Sequence, residues 1–168
     1  MDEIQAKISF GIGRINNLPL GTVHNLFFED DRWHTPFLSQ FRQVAKSQFG
    51  TVGSGNHFIN IFVEDTTGEV WVGNHFGSRG FGHKVTTHFL KLLGANDGMD
   101  SPPSLLHCES PEGRLYLEAM DLASDYALFA RRYVLDNVLK ILGGTSNFRV
   151  ENHHNYCWKE EHFGEEWY

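Results

Sequence analysis

The sequence predicts an α+β fold made by one domain, residues 1–168, and three observations carry that prediction. Apolar and polar residues alternate from His57 to Val63 and again across Glu69–Val72, with turn residues Asp65-Thr66-Thr67-Gly68 between them, the pattern of a β-hairpin. One long stretch, starting within 110–116, repeats apolar residues at helical spacing as far as Ile141. Glycine and proline clusters separate the two. The arrangement expected is a mixed sheet in which the hairpin joins other strands, flanked by the long helix.

In chain order, residues 1–50 are weakly patterned, with Gly11, Gly13, Pro19, Gly21 and Pro36 as breakers. A short helix is expected over Thr35–Phe49, with Phe37, Phe41, Val44 and Ala45 on one face. The hairpin follows. If Glu64 faces Gly68, His57 lies opposite His75, with Cβ atoms ~4.5–5.5 Å apart; a slip of one residue sends the imidazoles to opposite faces. Phe81, Val85, Phe89, Leu92 and Leu93 then follow helical spacing until Gly94-Ala95-Asn96-Asp97-Gly98 stops them. Beyond the loop Ser101-Pro102-Pro103-Ser104, Ser110-Pro111-Glu112 reads as an N-cap with proline at the first helical position. The helix it opens should bury Leu115, Met120, Ala123, Ala127, Ala130, Val134, Val138 and Ile141 before Gly143-Gly144 ends it.

Composition limits the function. With 14 basic and 21 acidic residues the net charge is −7, which disfavours a general nucleic-acid coat while leaving room for a local groove. The acidic start Met1-Asp2-Glu3-Ile4-Gln5 lacks the apolar core of a signal peptide, and no apolar run approaches the ~20 residues that span a bilayer, so a cytoplasmic, membrane-free protein is expected. Cys108 and Cys157 form no CxxC pair and are read as free thiols.

Three distant segments carry the chemistry: Gly53-Ser54-Gly55-Asn56-His57, His75-Phe76-Gly77-Ser78-Arg79-Gly80 and His153-His154-Asn155-Tyr156. Each sets histidine beside glycine, asparagine or arginine. Neutral imidazole suits a divalent transition metal, asparagine bonds phosphate or base edges, and glycine lets backbone N–H groups approach an anion. Ser78 and Arg79 offer a hydroxyl and a guanidinium to a phosphate. Phe58, Tyr156 and Trp158 provide rings for a base or for a core. His24, His34, His83, His88, His107 and His162 lack such context and are read as structural or surface residues. Gly53-Ser54-Gly55 precedes a strand rather than a helix, which rejects a dinucleotide-binding fingerprint; no P-loop, H-E-x-x-H or paired-carboxylate spacing occurs.

These residues resemble the RtcB-type RNA-splicing and repair ligases. Gln48 to Phe58 is similar to the family's L-G-T-L-G-x-G-N-H-F segment, Asn74 to Gly82 to its H-S-G-S-R-G-x-G segment, and Asn152 to Tyr156, continuing through Lys159 to Glu166, to its third histidine segment. The resemblance runs from about Ala45 to Tyr168. It implies GTP- and manganese-dependent joining of RNA 3′-phosphate to 5′-hydroxyl ends. His57, His75 and His154 would be metal ligands, Asn56, Phe58 and Asn155 nucleotide contacts, and Ser78 and Arg79 phosphate or RNA contacts. The family's upstream D-x-G-C-G segment and its guanylated histidine have no counterpart here, so no catalytic residue is assigned and a complementary ligase fragment is the expected partner. Asn60, Phe76 and Ala130 depart from the family's usual residues. The competing reading is a non-catalytic module of the same family that binds metal or nucleotide.

Overall fold

A computed structural model describes residues 2–96, 102–153 and 155–168. The elements are α1 (Asp2–Lys7), α2 (Thr22–Phe27), a 3-10 turn (Asp31–His34), α3 (Ser39–Gln48), β1 (Phe58–Val63), β2 (Val70–His75), α4 (Arg79–Leu92), α5 (Pro111–Leu142), β3 (Glu160–His162) and β4 (Glu165–Trp167). The α+β class holds. The single mixed sheet does not: among the described residues β1–β2 and β3–β4 form two separate antiparallel pairs.

Helix α5 organises the molecule. Ser110 caps it by accepting the Gly113 N–H at 2.9 Å, Pro111 occupies the first turn, and Gly143 closes it at φ +70°, with the Gly144 N–H reaching the Leu139 carbonyl at 3.0 Å. Its 32 residues make a rod about 48 Å long. Its core stripe is Ala119, Leu122, Tyr126, Ala130, Tyr133, Val134 and Val138. Leu122, Tyr126 and Tyr133 were absent from the stripe read in the sequence. Met120, placed in that stripe, lines a cavity described below, and Ala123 both packs against the core and lines that cavity. The tyrosines escaped because each buries a ring while holding its hydroxyl on a carbonyl: Tyr126 donates to Ala45 at 2.9 Å and Tyr133 to Pro19 at 3.2 Å.

The first fifty residues contribute far more of the interior than their weak pattern suggested. Ile4, Ile8, Phe28, Trp33, Leu38 and Phe49 are all buried, and the rings of Phe28, Trp33, Phe49, Phe81 and Tyr126 pack edge-on or tilted at centroid separations of 4.8–6.4 Å. Arg32 fastens this layer to α5, bonding Asp30, Asp121 and Asp125 at 2.7–2.8 Å. Helix α3 starts at Ser39, four residues later than expected, because the chain from Thr35 turns through Pro36 first.

His24 is a structural histidine. Its ring sits 4.8 Å from Tyr133 and 5.7 Å from Phe49, and its buried Nδ1 has no hydrogen-bond partner among the described residues. Burial pushes its pKa below the ordinary 6.5. As pH falls past that ordinary value the unfolded chain takes up a proton that the folded chain resists, so stability is full above it and declines below. His24→Phe should therefore raise stability by about 0.5–1.5 kcal/mol, by removing an unsatisfied nitrogen at little change of shape. Thermal melts from about pH 7.5 to about pH 5.5 should show a smaller acid loss in the variant than in the parent.

The β1–β2 ladder pairs Phe58 with His75 and Val63 with Val70. Glu64 faces Glu69, not Gly68: the Glu64 N–H donates to Glu69 at 2.8 Å across a four-residue turn that Gly68 closes at φ +73°. The register is thus one residue from the one that sets His57 opposite His75. Ile59 turns inward and is 5% exposed, whereas Phe62 and Trp71 lie on the outer face. The Asn74 amide donates to the Arg131 carbonyl at 3.0 Å, which seats the strand pair on α5.

Candidate functional site

The slipped register does not part the two histidines. His57 precedes the first paired residue, so the loop before it, not strand alternation, sets its direction. In that loop Gly53 and Gly55 adopt φ +93° and +77°, conformations open to glycine and strained for other residues. The imidazoles of His57 and His75 end side by side, centroids 5.8 Å apart. Phe58 stacks on His75 at 5.7 Å, and the Asn56 amide lies 3.5 Å from His75 Nε2.

Arg79, first residue of α4, holds this arrangement from behind. Its own φ is +57°. One guanidinium nitrogen donates to His57 Nδ1 at 2.9 Å, and Nε donates to the Thr51 hydroxyl at 3.3 Å. The guanidinium fills the space that a side chain on Gly53 would take. The Gly80 N–H donates to the Gln48 side chain at 2.9 Å, so α3, the glycine loop and α4 meet at one corner. Because arginine only donates, neutral His57 accepts at Nδ1 and carries its proton on Nε2. Burial, then the charge of Arg79, then His75 push the His57 pKa down, keeping the ring neutral.

A cavity of about 560 Å³ opens in front of these residues. It collects Asn56, His57, His75, Ser78 and Asn155, five of the residues that the sequence singled out. Phe58 and Arg79 stand outside its lining, Phe58 against His75 and Arg79 behind His57. His154 lies outside the described residues. Tyr156 lines the cavity and donates to Asp121 at 3.3 Å, while its ring packs 4.5 Å from that of Trp158.

Sequence reading missed the opposite wall. Met120, Ala123, Ser124, Ala127 and Arg131 present one face of α5 to the cavity, and His153 joins them, its Nδ1 3.1 Å from the Ser124 hydroxyl. Arg131 clasps two segments, donating to the Phe76 carbonyl at 3.2 Å and the Asn152 carbonyl at 3.1 Å. Burial and Arg131 lower the His153 pKa. A signal existed: Ser124 and Arg131, seven apart among small alanines, mark a helix face too polar for a core. Phe76 and Ala130, two of the departures noted in the sequence, are both buried apolar residues.

The donor chemistry suits a divalent metal in kind, because imidazole nitrogens ligate such ions, but His57 in this arrangement commits its Nδ1 lone pair to Arg79 and must release the Nε2 proton or that bond before it can ligate. It falls short in number. Among the described residues no three histidine, cysteine or carboxylate side chains converge on one point. Cys108 and Cys157 are free thiols, and Cys157 stands in the lining of the same cavity.

A known family, tRNA-splicing ligase RtcB, matches residues 28–168, a stretch that contains all three histidine segments. This chain belongs to the RtcB family. The RNA-splicing ligase RtcB of Escherichia coli K12 is 35% identical over 155 residues, covering 82% of this chain and 38% of that protein. The tRNA-splicing ligase RtcB of Methanocaldococcus jannaschii is 31% identical over 149 residues, covering 72% of this chain and 15% of the relative, and that of Nanoarchaeum equitans is 34% identical over 110 residues. The chain therefore spans about two-fifths or less of these RtcB relatives. The match begins well before Ala45, taking in Trp33 and the whole of α3. No helix among the described residues is long and apolar enough to cross a membrane.

Proposed function

We propose that this chain is the metal- and nucleotide-holding portion of an RtcB-type ligase that joins RNA 3′-phosphate to 5′-hydroxyl ends with GTP and manganese, and that it needs a complementary ligase fragment to turn over. The observation that carries the reading is the pair His57 and His75, ring centroids 5.8 Å apart, in the lining of a cavity that also holds Asn56 and Asn155. His57 and His75 would hold the metal together with His154. A bound divalent ion supplies positive charge that polarises phosphate oxygens.

The chain's own residues do the rest. Asn56 and Asn155 offer amide donors and acceptors to the nucleotide, and Phe58 keeps His75 in place by stacking. Ser78 offers its hydroxyl from the cavity wall to a phosphate, and Arg79 fixes the His57 ring and adds cationic charge behind it. No histidine nucleophile is assigned within the chain.

Metal analysis of purified protein after incubation with manganese tests the reading. His57→Ala and His75→Ala should each lose about one bound equivalent, as expected for the removal of one first-row metal ligand from a small set. Equal metal content in parent and both variants would sink the assignment. Incubation with labelled GTP and manganese should leave the chain unlabelled by itself; covalent guanylylation of the isolated chain would overturn the need for a complement.

A further inference from the structure

Residues 1–27 lie ahead of the stretch that matches the RtcB family, yet they are built onto its glycine loop. The Gly11 N–H donates to the Gly53 carbonyl at 2.7 Å, and the Val52 N–H to the Ser9 carbonyl at 3.0 Å. Ile4 and Ile8 are buried in the common core and anchor this segment. Between it and the start of β1 lies a second cavity of about 700 Å³, lined among others by Phe10, Arg14, Asn17, His57 and Phe58. His57 is the one residue common to the linings of this cavity and the 560 Å³ cavity, so the two meet at that imidazole.

Arg14 sets this cavity apart. The chain has eight arginines and a net charge of −7, so carboxylates are plentiful. Arg32, Arg42, Arg114, Arg132 and Arg149 each pair with one. Arg79 and Arg131 hydrogen-bond to His57 and to carbonyls. Among the described residues Arg14 alone of the eight has neither an ion pair nor a hydrogen bond, and it is exposed at the cavity wall. The same lining holds this uncommitted guanidinium, the rings of Phe10 and Phe58 and the Asn17 side chain, the parts that grip one nucleotide of a single strand: a cation for the phosphate and aromatic faces for the base.

We infer that this cavity is an RNA subsite, in which Arg14 holds the phosphate and Phe10 with Phe58 the base of a nucleotide next to the one at the His57–His75 cavity. The inference rests on the RNA-ligase reading and adds to it a binding residue from outside the family's matched stretch. Since the chain as a whole repels polyanions, one free cation placed here weighs heavily in the affinity.

Fluorescence anisotropy with a labelled single-stranded RNA of roughly ten nucleotides ending in a 3′-phosphate tests it, titrated at several salt concentrations. Arg14→Ala should weaken binding about 5–10-fold at low salt and lower the slope of log affinity against log salt by about 0.7, the loss of one phosphate contact on a single strand. Arg14→Lys should keep the slope, and circular dichroism should show both variants folded, since the side chain is exposed. Equal affinity and slope in parent and Arg14→Ala would overturn the subsite and leave the ligase reading standing. An absence of RNA binding by the parent itself would sink both. A third arm with GTP alone separates a mononucleotide from a strand: Arg14→Ala weakening GTP but not RNA would also overturn the subsite.

Discussion

Gly53→Ala is expected to destabilise the protein by about 2–3 kcal/mol and, if the proposed metal-holding role of the histidine pair is right, to lower manganese uptake with it. Two costs coincide. At φ +93° an alanine is strained whatever surrounds it, and the new methyl would occupy the place of the Arg79 guanidinium. Displacing that guanidinium breaks its bonds to His57 Nδ1 and Thr51 and removes the constraint on the imidazole direction. Thr51, 1% exposed, would be left with a weakened polar neighbourhood. Denaturant titration gives the stability change, and manganese stoichiometry gives the site change. Gly55→Ala is the control: its φ is also positive, at +77°, but a Cβ there meets nothing within 4 Å, so only the backbone cost of about 1 kcal/mol applies. Equal losses at the two glycines would show that Arg79 packing plays no part.

Trp33→Ala should cost about 3–5 kcal/mol, the largest effect expected of any single truncation here. The indole is fully buried, 4.8 Å from Phe81, 5.6 Å from Phe28 and 6.0 Å from Phe27, so it joins α2, α4 and the 3-10 turn in one aromatic cluster. Removing it leaves a cavity that stiff rings cannot close. Its Nε1 has no hydrogen-bond partner among the described residues, so Trp33→Phe trades the loss of part of a ring against the relief of an unsatisfied donor and should cost about 1–2 kcal/mol. Urea denaturation of the three proteins would check the order; a Trp33→Ala variant within 1 kcal/mol of the parent would contradict the description of the core.

How much of this was legible differs from element to element. The long helix could be read because its signals are local: Ser110 and Pro111 open it, Gly143 closes it, and both ends fall where the residues say. The hairpin could be read for the same reason, but its register could not. Whether the turn leaves Glu64 facing Gly68 or Glu69 depends on carboxylate and backbone bonds within it: the Thr67 hydroxyl, then the Thr66 and Thr67 N–H groups from which Glu64 accepts, hold its pKa down to about 2. The N-terminal fifty residues were harder still. Their apolar residues follow no single period because they serve several short helices and turns, each presenting one or two side chains to a shared interior.

By itself the sequence determined which residue types were available for chemistry, in three histidine-bearing segments, and which family they recur in, because motifs and caps are written in neighbouring letters. Tertiary structure decided which of those residues meet. It placed Arg79 behind His57 rather than at the cavity, set Ser124, Arg131 and His153 on the far wall, and brought the N-terminal segment with Arg14 against the glycine loop. The reason is physical: contacts between residues tens of positions apart are fixed by which faces pack and by where a buried backbone group finds its partner, and neither is a property of any short stretch of chain.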